Sequence, residues 1–118
     1  MDEGFRPRER IKQKKDFNRL YKKGKRFRGR YFILVYQPNA SGHSRIAVVA
    51  SRKLGNAVER NRIKRWFRDL YRRNKDLLST SLDLVIIPQR DIHSVSWDTL
   101  RQEFRKALSS IAAQNQPG

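Results

Sequence analysis

The chain contains no cysteine. That excludes disulfides, thiolate zinc sites and cysteine nucleophiles, suits a reducing compartment, and leaves stability to ordinary packing. Acidic residues are scarce: 11 Asp and Glu stand against 28 Lys and Arg, a formal net charge of +17. Such a density of like charge disfavours compaction unless a polyanion neutralises it. Long apolar runs are missing too. Those present, such as Tyr31 to Tyr36 and Leu84 to Ile87, are strand-sized, well short of the roughly 20 residues of a spanning helix. The first residues show no apolar stretch of the secretory kind. An anionic membrane would need a spanning segment or an anchored amphipathic helix. Nucleic acid is therefore the expected polyanion, no membrane partner is expected, and the expected location is cytoplasmic.

The groups that carry catalysis are equally sparse. The two histidines, His43 and His93, fall in expected loops without a second ligand at metal-binding spacing, so both read as solvent-exposed loop residues. No clustered carboxylates and no histidine paired with another acid-base group are evident, and Asp83, at a strand start, reads as structural. Gly24, Gly29, Gly42 and Gly55 are isolated, each explained by a turn or helix end, which argues against a nucleotide-binding phosphate loop. The residues predict neither a protein-borne catalytic site nor a protein metal site.

A length of 118 residues fits one domain. Residues 1–15 read as a basic arm that orders on binding, interrupted by Gly4 and Pro7, with Ile11 free to dock on the core. Residues 16–113 read as the domain, with a frayed end over 114–118. Asp16 is placed to cap a short helix carrying Phe17, Leu20 and Tyr21 at helical spacing, and Gly24 suits its stop. Strands are expected at Lys25 to Arg28 and Tyr31 to Gln37, separated by a turn at Gly29-Arg30, with a second turn over 38–42. The apolar run within Arg45 to Ser51 predicts a strand covered on both faces and central in the sheet. Asn56 and Glu59 have the spacing of a capping box at the start of the longest helix, which should run to about Lys75. Leu82 to Ile87 reads as a strand ending at Pro88. Ser96 suits the cap of a last helix with Trp97, Leu100, Phe104, Leu108 and Ile111 on one face. The order α-β-β-β-α-β-α predicts an α+β fold, a roughly four-stranded sheet packed with three helices.

At about 100° per residue, the long helix places Ile63, Trp66, Phe67, Leu70 and Tyr71 on one core-facing stripe. Asn61, Lys64, Arg65, Arg68 and Arg72 share a second, while Arg62 and Arg73 lie on a third side with Asp69. Exposed cations often serve solubility alone. Here only Glu59 and Asp69 interrupt the positive charge, so the helix repels itself in isolation, and a polyanion-binding surface is the better account. Arginine outnumbers lysine, which favours bidentate phosphate contacts and stacking on bases. Structured or single-stranded RNA suits that chemistry, and DNA is not an expected partner.

The run Lys53-Leu54-Gly55-Asn56-Ala57-Val58-Glu59-Arg60-Asn61-Arg62-Ile63-Lys64-Arg65 resembles the signature of the bacterial ribonuclease P protein family. The likeness covers nearly the whole chain. Lys15-Asp16-Phe17-Asn18-Arg19-Leu20-Tyr21 resembles the family's first helix, Arg30-Tyr31-Phe32 the start of a strand, and Asp83-Leu84-Val85-Ile86-Ile87 its later strand. The resemblance implies a sheet flanked by helices, with the long helix in a left-handed crossover between parallel strands. Periodicity could not indicate that handedness, since right-handed connections are the rule. It further implies endonucleolytic removal of the 5′ leader of precursor tRNA by a holoenzyme whose RNA subunit is the catalyst. The protein is then an accessory, inactive alone. Magnesium is the implied cofactor, bound mainly by the RNA subunit and substrate.

By the same resemblance, Arg60, Asn61 and Arg62, with Lys53, Asn56, Lys64 and Arg65, would touch the RNA subunit near its catalytic centre or the adjoining substrate, chiefly by neutralising phosphates. Phe17, Tyr21, Ile33, Val35 and Arg68 match a cleft that holds the single-stranded leader, where aromatic rings beside cations give sequence-tolerant binding. Val35 stands where some relatives carry an aromatic residue, so stacking is lost there, and Tyr31 or Tyr36 would have to substitute. Phe17 and Tyr21 also fit a core role, unless Leu20 supplies that packing. A purely structural RNA-binding protein, such as a ribosomal protein, shares this composition. An intrinsic protein nuclease would need to cleave RNA without an RNA subunit.

Overall fold

The computed structural model describes residues 9–114. Their elements are α1 (Lys14–Lys23), β1 (Lys25–Arg28), β2 (Phe32–Pro38), β3 (Arg45–Val48), α2 (Ala57–Asn74), β4 (Leu82–Pro88) and α3 (Trp97–Gln114), the expected order. Short 3-10 turns lie at Arg52–Leu54, Lys75–Leu77 and Arg90–His93. The four strands form one mixed sheet in the order β1-β2-β4-β3. β1 and β4 both pair antiparallel with β2, while β3 pairs parallel with β4 across the connection that contains α2.

The expectation that the Arg45 strand is central is wrong: β4 is central and β3 is an edge strand. The apolar run was a sound sign of two covered faces, but coverage of faces does not determine the number of strand neighbours. Ile46 packs toward α2 and α3, whereas Ala47 and Val49 turn to the side of α1. The edge itself is capped by the segment before α1. Arg10 bridges Ile46, and the Ile11 amide donates to the Ile46 carbonyl at 2.8 Å, which blunts an otherwise open strand. Ile11 docks on the core as expected, 5% exposed. Lys14 and Lys15, expected in the arm, belong to α1, and residues 1–8 of the arm lie outside the described residues.

Strand alternation divides the interior in two. Phe32, Leu34, Tyr36, Leu84 and Ile86 face α2 and α3, where Phe32, Phe67 and Phe104 pack with ring centroids 5.7 to 6.0 Å apart. Each such pair contributes about 0.5–1.5 kcal/mol beyond its buried area. Val35 and Val85 face the other way and are covered by Leu20 of α1, with Phe17, Ile33, Ala47, Val49 and Ile87 around them.

Asp16 does not cap α1. The helix begins three residues earlier, after Gln13, and Asp16 lies buried in its first turn, held by Arg19 at 3.2 Å and Arg45 at 3.5 Å. A partner outside the helix outcompeted the local cap. Gly24 ends α1 because of close approach rather than backbone handedness: a Cβ there would lie 2.5 Å from the Leu20 carbonyl oxygen and 3.0 Å from Val35 Cγ1. At α2 the capping box is present, with the Glu59 amide donating to Asn56 Oδ1 at 2.9 Å and the Asn56 amide to Glu59 Oε1 at 3.4 Å. Ser96 caps α3, accepting from the Thr99 amide at 3.1 Å. Two details of α3 differ from expectation. Trp97 is 38% exposed, because it lies at the margin of the buried stripe and meets Trp66 edge-on at 6.5 Å instead of entering the core. Gln114 is the last helical residue and accepts from the Tyr36 hydroxyl at 2.6 Å, so fraying does not begin there; residues 115–118 lie outside the described residues.

Candidate nucleic-acid interface

All seven residues expected to touch the RNA subunit lie in the first half of α2 or the turn before it. Lys53, Asn56, Asn61, Arg62 and Arg65 are exposed; Arg60 and Lys64 are half-buried. Asn56 is partly committed, since its carboxamide oxygen caps the helix. The Arg60 Nε is buried without a hydrogen-bond partner among the described residues, an unspent donor at the centre of the motif. Gly55 lets the chain turn into this helix: its φ of 131° and ψ of −163° belong to a region essentially reserved for glycine.

The residues expected to hold a single strand are only partly brought together. Phe17 and Arg68 line one cleft of about 260 Å³, with Arg10, Ile11, Lys12, Ile46, Ala47 and Val48. Tyr21, 37% exposed, continues it, its ring 6.4 Å from that of Phe17. Leu20, fully buried, takes the core role between them. Ile33 is half-buried farther along the same sheet face. Val35 is different: it is fully buried under α1 and presents no surface to a ligand. Tyr36 points to the opposite face, toward α3, so its ring cannot stand in for the missing aromatic; Tyr31 is half-buried against that same core. Sequence reasoning missed Arg10, Lys12, Ala47, Val49 and Ile87 around the cleft and open sheet face. The alternation 47, 49 and 85, 87 carried the signal, but continuous apolar runs concealed which face it served.

Asp83 fastens α1 beside this cleft. Its carboxylate, 1% exposed, receives Arg45 Nε at 2.8 Å and Nη2 at 2.7 Å, Arg19 Nη2 at 2.8 Å and Asn39 Nδ2 at 2.8 Å. Burial alone pushes its pKa up, but the bonds from Arg45 and Asn39 and the charges of Arg45 and Arg19 outweigh burial and hold it below the ordinary 3.8. The bond to Asp83 raises the pKa of Arg45 in return. The structural reading of Asp83 is thereby given a mechanism.

A larger cleft of about 460 Å³ opens at the end of β4, lined by Arg30, Lys53, Arg90 and Asp91 among others. Arg30 lies 3.1 Å from Asp91 and 5.4 Å over the Tyr31 ring. Beside it the His93 ring is not idle: Nε2 is 2.7 Å from the Leu54 carbonyl oxygen and ties the turn after β4 to the turn before α2. His43 is half-buried in the loop before β3.

The family model described as Ribonuclease P matches residues 5–112. The chain belongs to the ribonuclease P protein family. A Ribonuclease P protein component from Thermotoga maritima is 35% identical over 115 residues, covering 94% of this chain and 98% of that one. The solved RNase P protein of the same organism superposes with a TM-score of 0.78 at 33% identity, over 86% of this chain and 96% of that one. That of Staphylococcus aureus does so with a TM-score of 0.76 at 32% identity, over 88% and 94%. Members are the protein subunit of the ribonuclease P ribonucleoprotein, so this chain is an RNA-binding subunit of an endoribonuclease that processes the 5′ end of tRNA. Among the described residues no helix is long and apolar enough to cross a membrane.

Proposed function

We propose that the chain serves the holoenzyme by holding two RNAs at once: the RNA subunit along the first half of α2, and the 5′ leader of precursor tRNA in the cleft beside α1. The observation that carries this reading is the division of labour in α1. Leu20 is fully buried, which leaves Phe17 at the mouth of a cleft shared with Arg68, and Tyr21 exposed beside it. Rings next to guanidiniums suit an unpaired strand of any sequence. The Arg60-Asn61-Arg62 segment, with Lys53, Asn56, Lys64 and Arg65, neutralises phosphates of the RNA subunit near the reacting bond. Cations at that junction relieve the repulsion between two polyanions, so the ribonucleoprotein reaches full activity with less magnesium.

Magnesium, bound mainly by the RNA subunit and substrate, would supply an activated water and charge neutralisation for phosphodiester hydrolysis. Among the described residues no three acidic or histidine side chains converge on a metal-sized site, and no step is assigned to the protein. The cytoplasm, where transcripts are processed in bacteria, is the matching location.

The test is precursor tRNA cleavage by a bacterial ribonuclease P RNA at low magnesium, with and without the chain, together with Phe17→Ala. The wild type should stimulate cleavage, and the variant should bind precursor more weakly while binding mature tRNA unchanged. No stimulation, or equal loss for both tRNAs, would sink the assignment.

A further inference from the structure

Besides the flank near Arg68, α2 turns a second cationic flank toward α3. At about 100° per residue, Arg62, Trp66, Asp69 and Arg73 share one stripe. On α3, Trp97, Arg101 and Arg105 follow at four-residue intervals along the margin of the buried face. The stripes meet where Trp66 and Trp97 pack edge-on at 6.5 Å. Beyond that pair, Arg73, Asn74, Arg101, Gln102 and Arg105 line a cleft of about 370 Å³.

Three guanidiniums thus line one cleft, and the two carboxylates beside it leave a net positive charge there. Asp69 is shared between Arg72 and Arg73, and Asp98 pairs with Arg101 at 3.0 Å. Arg105 forms no ion pair among the described residues. Cations scattered for solubility would not gather in a concavity between helices, where they repel one another in a chain already at +17. Trp97 adds an exposed ring on the same seam.

We propose that the α2–α3 seam is a second RNA-binding surface: Arg73, Arg101 and Arg105 hold phosphates of the RNA subunit and Trp97 stacks on a base, continuing the contact that begins at Arg62. The inference rests on the reading of Arg60-Asn61-Arg62 as an RNA-subunit contact. Guanidiniums with an indole ring match nucleic acid better than an acidic protein, which needs no stacking platform. A second copy of the chain would bring the same positive charge and be repelled. The sheet separates the seam from the leader cleft, since α2 and α3 cover the face of Leu34 and Leu84 and α1 covers that of Val35 and Val85. A strand lying in the Phe17 cleft would have to round the sheet edge to reach the seam, whereas a large folded RNA already at Arg62 needs only to follow α2.

The test measures the Kd of the full chain for the RNA subunit as a function of monovalent salt, for the wild type, Arg101→Gln/Arg105→Gln and Trp97→Leu. Two lost phosphate contacts should weaken binding about tenfold at moderate salt and reduce the log-log salt slope by about 1.4–1.8. Trp97→Leu should weaken binding by at least about fivefold with the slope unchanged. Precursor-over-mature discrimination should stay at its wild-type value in both. Melting curves report whether each variant is folded. Because the chain has no cysteine, Gln102→Cys places a single photo-crosslinker in the seam of an otherwise native protein, and it should capture the RNA subunit. Wild-type Kd and slope in the double variant, crosslinks confined to substrate, or crosslinks to a second copy would each overturn the proposal. A wild type that failed to bind the RNA subunit would instead overturn the reading of Arg60-Asn61-Arg62, and this inference with it.

Discussion

Replacing Asp83 by Asn removes one charge at the point where α1, β3 and β4 are tied together, and the outcome can be worked from the contacts. The carboxylate accepts four bonds, two from Arg45 and one each from Arg19 and Asn39. In Asp83→Asn the amide nitrogen meets guanidinium donors, so at least two of these bonds are lost. Breaking a fully buried pair costs about 3–5 kcal/mol. The Arg19 side chain is 43% exposed and that of Arg45 24%, so both cations regain some water and the lower end applies, about 3 kcal/mol. For a domain of this size that corresponds to a fall of roughly 10–15 °C in Tm. The pH dependence gives a sharper signature. The folded pKa of Asp83 is depressed below 3.8, so its contribution is fully present above that value and is lost as pH falls through the lower, folded value. Below about pH 4 the stability of the wild type should therefore fall more steeply than that of Asp83→Asn, and the curves should converge. The assay is chemical denaturation followed by tryptophan fluorescence between pH 2.5 and 7. Parallel curves, or a loss under 1 kcal/mol at pH 7, would refute the view that this network fastens α1.

Two further outcomes follow from α2. Gly55→Ala forces a Cβ to 2.9 Å from the Glu59 carboxylate at a φ of 131°, which should cost about 1–3 kcal/mol in strain and up to about 1 more if the capping box opens; an unchanged Tm would contradict it. Arg62→Ala should weaken RNA-subunit affinity about threefold at moderate salt and lower the salt slope by about 0.7–0.9, one phosphate contact, and filter binding across a salt series would expose an unchanged slope.

What the sequence made legible is what short-range rules govern. The capping box at Asn56 and Glu59, the Ser96 cap and the helical stripe of Ile63, Phe67, Leu70 and Tyr71 are decided within a few residues, and the structure reproduces them, with Trp66 of the expected stripe only half-buried at its margin. Apart from Trp97, at the margin of its helix's buried stripe, the main misreadings are long-range. Asp16 looked like a cap until Arg45, 29 positions away in the chain, claimed its carboxylate. The β3 run announced two covered faces but could not reveal that β4 lies on only one side of it. Val35 matched a cleft position by register with a family, yet a strand residue's exposure depends on where a helix from elsewhere comes to rest, and α1 rests on it.

The same limit applied to the cations of α2, with a larger consequence. Helical periodicity alone separates Arg62 and Arg73 from Arg65, Arg68 and Arg72, but it does not say what each group faces. The fold answers that: Arg68 closes the cleft of Phe17 on one side, and Arg73 lines the cleft of Arg101 and Arg105 on the other. Ile63, Phe67 and Leu70 lock the rotation of the helix between them, so neither flank can turn to serve the other's ligand. Charge removed at Arg73 should then impair RNA-subunit binding and spare the leader, and charge removed at Arg68 should do the reverse. A helix whose cations acted only as a diffuse cloud would lose both affinities together, in proportion to the number of charges removed and regardless of their side.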